Sequence, residues 1–221
     1  MKKILAWAIP AIVVSILILV LTIPFMVMEI KTINMKNDYD YLKEDNTYSL
    51  KVEVDDIDLV KQHISCGYAT IEMMSSYYGN KVTEDELEAK NNGKISTSSS
   101  NGFLKEVKTS IPNKSFVKHS YLKNDVLLKE IHDSLSSHNP VAIEWAAEYD
   151  GEWTLHFSLV SGLDIGNDNV TVYNPYGYIE NININDFINR TTFKAYKHLP
   201  LFLNFGFAFG AFEKNTIFFA E

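Results

Sequence analysis

The sequence predicts an α+β domain that follows a single transmembrane helix. Three observations support this prediction: an N-terminal run without a charged residue, helix-spaced apolar residues in the first half of the remaining chain, and strand-like alternation in the second half. Helices that precede an antiparallel set of strands are typical of α+β folds. We therefore expect an N-terminal helical part to pack against a C-terminal antiparallel sheet.

The N-terminal run from Ile4 to Met28 contains 25 residues and no charge. About 20 apolar residues cross a bilayer, whereas a cleavable signal peptide has an apolar core of only about 7–15 residues. We therefore predict an uncleaved, single-pass anchor in the cell membrane over residues 1–28, with a cleaved signal as the alternative. Lys2 and Lys3 precede the run, so the positive-inside rule places the rest of the chain outside the cytoplasm.

The residues after the anchor are predicted to form a tether over 29–56 and one domain over 57–221. The whole chain carries 20 basic and 28 acidic residues, a net charge of −8. A nucleic-acid-binding protein is expected to have the opposite balance. The single cysteine suits an exported bacterial protein that does not depend on disulfides, and it would also suit a cytosolic one.

The first predicted helix of the domain begins at Cys66. Ala69, Met73 and Tyr77 recur at intervals of four residues, which places them on one buried helical face. Gly79 marks the C-terminal end of this helix. The cysteine therefore lies at the N-terminus of a predicted buried helix.

Further helices are predicted from their N-terminal signals. Thr83 and Glu86 match a capping box before a short acidic helix. Asn124 or Asp125 is expected to cap a longer helix with an apolar stripe. Two shorter helices are predicted, near 103–107 and over 185–190.

The second half of the chain changes to the period of a β-strand. Over 153–163, Leu155 and Phe157 alternate with His156 and Ser158, so the two sets face opposite sides of the strand. A turn over 166–169 follows. The other predicted strands are 114–119, 141–145, 170–173 and 216–220.

The segment from Leu199 to Phe212 contains 14 residues and no charge. It is too short to span a membrane comfortably. Two interpretations remain open: a buried helix or hairpin, and an apolar flap near a cleft or the membrane surface.

Cys66 is the only cysteine of the chain, so it cannot form an intramolecular disulfide. The positive end of a helix dipole favours a thiolate at the first turn. We therefore expect iodoacetamide to label Cys66 quickly at neutral pH, and His156→Ala to slow that labelling. The structural alternative is an inert thiol that packs in the core.

A thiol protease also requires a histidine, a group that orients it, and donors for the oxyanion. Among six histidines, His156 is the best placed, because it lies within a predicted strand. Asn174 ends the following strand and could accept the imidazole N–H. Gln62 precedes Cys66 by four residues and could donate to the oxyanion together with the Cys66 backbone N–H. Each residue also has a purely structural reading: a buried thiol, a core histidine, a turn.

The order of these residues resembles cysteine peptidase family thirty-nine, the papain-like peptidases that process double-glycine leaders of bacteriocins, and their stand-alone relatives. The resemblance covers roughly residues 59–220. The matching motifs are, in chain order, Gln62, Cys66-Gly67, Tyr77-Tyr78-Gly79, His156 with Val160 and Gly162, and Asn174-Pro175.

The resemblance implies a papain-like fold and a peptidase with a Cys-His-Asn triad. In it, Cys66 is the nucleophile, His156 the general base and acid, Asn174 the orienting residue and Gln62 the oxyanion donor. The family usually has Asp before the cysteine, where this chain has Ser65, and commonly Asp at the third triad position. Its glutamine usually stands a residue or two further upstream than Gln62.

Many relatives are fused to a transporter domain, which is not expected within these 221 residues, so their substrate is not carried over. The expected partners are a peptide or protein substrate and the membrane, with no nucleic acid. No metal-spaced cluster and no glycine-rich phosphate loop is present in the sequence, so no cofactor is expected. Two alternatives to a peptidase remain: a non-catalytic binding or regulatory module of the same fold, and a thiol acyltransferase that passes the acyl group to an amine.

Overall fold

A computed structural model describes the backbone of residues 2–221 and the side chains from residue 13 onward. The first part of the predicted anchor, residues 1–12, therefore lies outside the described side chains. Within the described residues the chain forms seven α-helices and seven β-strands. The helices are α1 (Lys2–Asn34), α2 (Cys66–Tyr77), α3 (Glu84–Lys90), α4 (Ser100–Ser110), α5 (Asn124–Ser136), α6 (Ile184–Thr191) and α7 (Leu201–Ala208).

The strands form one sheet in which every pairing is antiparallel. They are β1 (Val52–Glu53), β2 (Phe116–His119), β3 (Val141–Tyr149), β4 (Glu152–Asp164), β5 (Asn169–Asn174), β6 (Tyr178–Asn183) and β7 (Thr216–Ala220). Their order is β2-β7-β3-β4-β5-β6, and β1 pairs with the end of β4. The predicted α+β class with an antiparallel sheet is confirmed.

Helices cover both faces of the sheet at its centre. Phe157 of β4 stacks on Phe103 of α4, with ring centroids 4.4 Å apart. His156 pairs with Trp145 of β3, and the Trp145 ring lies 6.2 Å from Phe187 of α6. Because adjacent residues of a strand point to opposite faces, α4 and α6 lie on opposite sides of β4. The β3–β4 hairpin is therefore the middle layer of the domain.

The N-terminal helix α1 is continuous over 33 residues. The part from Val13 to Asn34 is long and apolar enough to cross a membrane, and its side chains from Val13 to Ile23 are exposed. Met28 and Met35 are buried, so the last turns of α1 pack against the domain. The following residues contribute buried Leu42 to the main core.

Several local predictions agree with the structure. α2 begins at Cys66, and Thr83 and Glu86 form both hydrogen bonds of the capping box. At α5 the N-cap is Lys123, not Asn124 or Asp125. The reason is tertiary, because the Asn124 side chain bonds to other segments: its amide donates to the Asn37 carbonyl at 3.4 Å and its oxygen accepts from Asn215 at 3.3 Å. Strand β6 is absent from the sequence prediction, since it is short, half of its residues are polar and none is buried.

Candidate active site

Cys66 is the first residue of α2 and follows the N-cap Ser65. The Ser65 hydroxyl accepts a hydrogen bond from the Tyr68 backbone N–H at 3.1 Å, which is the usual way a helix N-terminus is satisfied. At Gly67, a Cβ would lie 2.3 Å from the Thr97 hydroxyl oxygen, so only glycine fits there. Serine and glycine on either side of the cysteine therefore allow the helix start to lie close to the loop that contains Thr97.

A buried carboxylate holds the segment that leads into Cys66. Glu84, the first residue of α3, accepts hydrogen bonds from the backbone N–H groups of His63, Ile64 and Ser65 at 3.0, 3.0 and 2.9 Å. Its side chain is fully enclosed. Sequence reasoning did not find this contact, because Glu84 has the pattern of an ordinary first-turn residue in an acidic helix.

The Cys66 side chain is half-buried and lies against β4. Burial raises the pKa of its thiol to about 11, although hydrogen bonds from the backbone N–H groups of Phe157 and Gly67 oppose this. The expected lowering of the pKa by the helix N-terminus is therefore outweighed by desolvation. The Cys66 thiol is therefore protonated at neutral pH, and it lies near Phe157, the residue that follows His156.

His156 and Asn174 form a direct hydrogen bond between β4 and β5. The distance from His156 Nε2 to Asn174 Oδ1 is 2.9 Å, and both residues are buried. Asn174 Oδ1 also accepts from the Tyr176 backbone N–H at 2.9 Å, which fixes the orientation of the amide. Because this oxygen only accepts, Nε2 carries the proton and Nδ1 keeps a lone pair.

The imidazole of His156 is neutral at physiological pH. Burial lowers its pKa to about 4, and the hydrogen bond to Asn174 opposes this shift. A neutral imidazole with a free lone pair can accept a proton, which is what a general base requires.

A second layer lies behind Asn174. The Asn174 amide donates to Glu180 Oε1 at 2.5 Å, and Glu180 Oε2 accepts from Arg190 at 2.8 Å. The Arg190 guanidinium lies 4.9 Å from the centre of the Trp145 ring. Both Glu180 and Arg190 were missed by sequence reasoning, because Glu180 lies on the unpredicted strand β6. This chain of contacts leaves the Asn174 amide little freedom to rotate.

Tyr176 covers the imidazole. Its ring stacks on the His156 ring with centroids 4.2 Å apart and an angle of 22°. The Tyr149 ring also contacts Tyr176, with centroids 4.6 Å apart. Burial raises the pKa of Tyr176 to about 12, and the charge of Cys66 acts in the same direction. Cys66, Tyr176, His156 and Asn174 therefore belong to one cluster.

Gln62 lies beside this cluster. Its backbone N–H donates to the Pro175 carbonyl at 2.7 Å, and its side-chain oxygen is buried with no hydrogen-bond partner among the described residues. With Lys61, Tyr149 and Tyr176 it lines a cavity of about 190 Å³. A larger cavity of about 630 Å³ includes Tyr77 and lies at the other end of α2.

The four residues expected from the sequence thus meet at one end of β4, with different degrees of contact. His156 and Asn174 are joined directly, and the backbone N–H of Phe157, the residue after His156, opposes the rise in the pKa of the Cys66 thiol. Within the part of the chain that the structure describes, no hydrogen bond joins Cys66 to the His156 ring or to the Gln62 amide. In the same part, no group of three or more His, Cys, Asp or Glu side chains could hold a metal ion.

We expect alkylation of Cys66 by iodoacetamide to be slow at pH 7, on the order of 10²-fold slower than that of a free cysteine, because the thiolate is the nucleophile and the thiol pKa is about 11. This corrects the expectation of fast labelling. The rate should rise about tenfold per pH unit toward pH 11. Mass spectrometry reports it directly, since Cys66 is the only cysteine. A rate at pH 7 equal to that of glutathione in the same buffer would contradict a neutral thiol.

The comparisons with known proteins concern the family and the fold of the chain. The model of the Peptidase_C39 like family matches residues 54–200. The fold is similar to the crystal structure of a double glycine motif protease from an AMS/PCAT transporter in complex with the leader peptide. The identity is 13%, the TM-score is 0.51, and the match covers 77% of this chain and 98% of that one. No curated protein matches the chain.

Proposed function

The chain belongs to the Peptidase_C39 like family, and from this premise we propose that it is a membrane-anchored cysteine peptidase that cleaves peptide bonds with Cys66, His156 and Asn174. The observation that supports it most directly is the His156–Asn174 hydrogen bond of 2.9 Å, on the strand whose next residue, Phe157, opposes through its backbone N–H the rise in the Cys66 pKa. A buried imidazole that is oriented through one nitrogen and unbonded at the other matches the role of a general base.

The proposed reaction starts from a neutral thiol and a neutral imidazole. The Cys66 sulfur attacks the carbonyl carbon of the peptide while His156 Nδ1 takes the thiol proton. The tetrahedral intermediate collapses, His156 gives this proton to the leaving amine, and the C–N bond breaks. Water, deprotonated by the same imidazole, then attacks the thioester and releases the acid and the free thiol.

Asn174 is proposed to orient the imidazole and to stabilise the imidazolium through its amide oxygen. The oxyanion is proposed to be stabilised by the Cys66 backbone N–H at the start of α2 and by the Gln62 side chain. The proposal for Gln62 is supported by its backbone hydrogen bond to Pro175, the residue after Asn174, and its side-chain N–H would be the donor.

We expect Glu180→Ala to lower kcat by up to about 10²-fold with little change in KM, because a small misplacement of a catalytic group has effects of this size. The variant removes the acceptor of the Asn174 amide and the partner of Arg190, so Asn174 and His156 lose their fixed geometry. Glu180→Gln should recover much of kcat, since its amide oxygen still accepts from Asn174. Steady-state kinetics on one cleaved peptide would measure both.

Glu44→Ala is the matched control, because Glu44 is exposed. Equal kcat for wild type, Glu180→Ala and Glu44→Ala would show that Glu180 does not position the triad.

The membrane part of the proposal is an anchor over residues 1–28, with a tether over 29–56 and a peptidase domain over 57–221 outside the cytoplasm. It is supported by the length and apolar character of α1 and by its exposed side chains. The peptide-bound neighbour supports a peptide substrate.

The function is tested with the full chain in detergent and a proteome-derived peptide library. New N-termini identified by mass spectrometry are expected with wild type. Products with an added amine in place of water would indicate the acyltransferase, and an unchanged library would favour the non-catalytic module. The raised thiol pKa is the observation that keeps the non-catalytic module as the second candidate.

A further inference from the structure

Helix α7 has two faces of unusual character. Leu203 and Phe207 are buried, whereas Leu201 and Phe202 are 72% and 69% exposed. Phe205 and Phe209 are also exposed, at 40% and 53%. The surrounding residues 199–212 carry no charge. The helix therefore presents an apolar surface away from the domain. Such surfaces usually bind another protein or a membrane.

Helix α7 packs against α1 through its buried residues and through the edge of its exposed face. The rings of Phe205 and Phe25 meet edge to face with centroids 5.2 Å apart. Met28 of α1 lies in the same buried cluster as Leu203 and Phe207. These contacts use the last turn of the apolar run, before its first charged residue, Glu29.

This contact fixes the height of α7 relative to the end of the apolar run. Phe25 lies four residues before Glu29, which corresponds to about 6 Å along a helix. Helices that lie in the plane of a membrane interface bury their apolar face by about 5–10 Å. If Glu29 marks the headgroup level, Phe205 lies at the depth of such a helix.

One charged group near α7, Lys214, is buried between this helix and α1. The Lys214 ammonium is 5.5 Å from the centre of the Phe207 ring and 3.3 Å from the Thr32 hydroxyl, one turn beyond Met28 on α1. The ammonium is therefore hydrogen-bonded to a polar group of α1 and does not lie on the exposed apolar face of α7.

We propose that α7 is an in-plane membrane helix, whose exposed Leu201, Phe202, Phe205 and Phe209 lie in the interface of the same bilayer that α1 spans. The inference rests on the proposed membrane anchor. The lipid surface is favoured as the occupant because the exposed face of α7 is continuous with the exposed apolar side chains of α1.

The test is the depth of a nitroxide spin label in the full chain, reconstituted in vesicles of dioleoylphosphatidylcholine. In a Cys66→Ser background, single cysteines replace Phe202 in α7, Ile18 in α1 and Leu50.

Leu50 is the control position outside the membrane. It is 61% exposed and precedes Val52, which pairs with Leu163. Leu163 lies ten residues, or about 30 Å, along β4 from Trp153. Trp153 packs against the buried cluster of Met28, Leu203 and Phe207, so residue 50 lies far from α7. Collisions with oxygen, which partitions into lipid, are compared with collisions with a water-soluble nickel chelate.

The expected result is a several-fold higher oxygen-to-nickel ratio at 202 than at 50, with 18 also lipid-like. A lipid-like label at 18 with a water-like label at 202 overturns the inference and leaves the anchor intact. A label at 202 that is shielded from both reagents also overturns it, since a protein partner or a second copy would then cover α7. A water-like label at 18 refutes the anchor and the inference together.

Discussion

Replacement of Cys66 by serine is expected to abolish peptide cleavage, with a loss of at least about 10³-fold in kcat/KM, as is common when a covalent nucleophile is removed. The hydroxyl cannot replace the thiol here, because a neutral imidazole with a pKa of about 4 is too weak a base for a serine that lacks the rest of a serine-protease site. The measurement is the rate of product formation from one peptide identified in the library.

Serine is nearly isosteric with cysteine, and Cys66 is half-buried, so the variant should fold. Thermal unfolding of both proteins checks this. If the two Tm values are similar, the activity loss comes from the missing thiol and not from unfolding. Full cleavage by a folded Cys66→Ser protein would show that Cys66 is not the nucleophile and that its thiol only packs in the protein.

Replacement of His156 by glutamine is expected to lower kcat/KM by on the order of 10³-fold, because the variant can still contact Asn174 but cannot accept the thiol proton. His119→Gln is the control. His119 pairs with Glu130 at 2.7 Å on β2, far from Asn174 in the sheet order, and its loss should leave cleavage unchanged. Equal losses in both variants would point to a general effect on folding.

The pH profile of the wild-type enzyme tests the same pair. His156 must be neutral to accept a proton, so kcat/KM should fall as the pH drops through about 4. Cys66 must keep its proton for this transfer, so kcat/KM should also fall as the pH rises through about 11. Between pH 5 and 9 the profile should be flat, provided that the protein stays folded.

The sequence was sufficient for features that depend on local pattern. The start of α2 at Cys66, the capping box at Thr83 and the alternation around His156 follow from spacing alone. His156 and Asn174 meet because the antiparallel pairing of β4 and β5, joined by a short turn, brings the end of β5 to the part of β4 that contains His156. These are short-range consequences of the chain order.

The remaining features depend on tertiary structure. The sign of the Cys66 pKa shift could not be predicted, because the helix dipole is visible in the sequence and burial is not. Glu180 and Arg190 become neighbours only through β6 and α6. The segment 199–212 has the composition of a core helix, and only the fold shows that one of its faces is exposed. Long-range contacts therefore account for what the sequence did not show.

Helix α1 runs without interruption from Lys2 to Asn34, and the residue that follows it, Met35, is already buried in the domain. In the proposed orientation the tether therefore begins as a continuation of the membrane helix and packs on the domain at Met35. Cys66 and His156 would then lie at a nearly constant height above the lipid. An extended peptide spans about 3.3–3.6 Å per residue, so such an enzyme would act as a ruler that selects scissile bonds by their distance from the membrane.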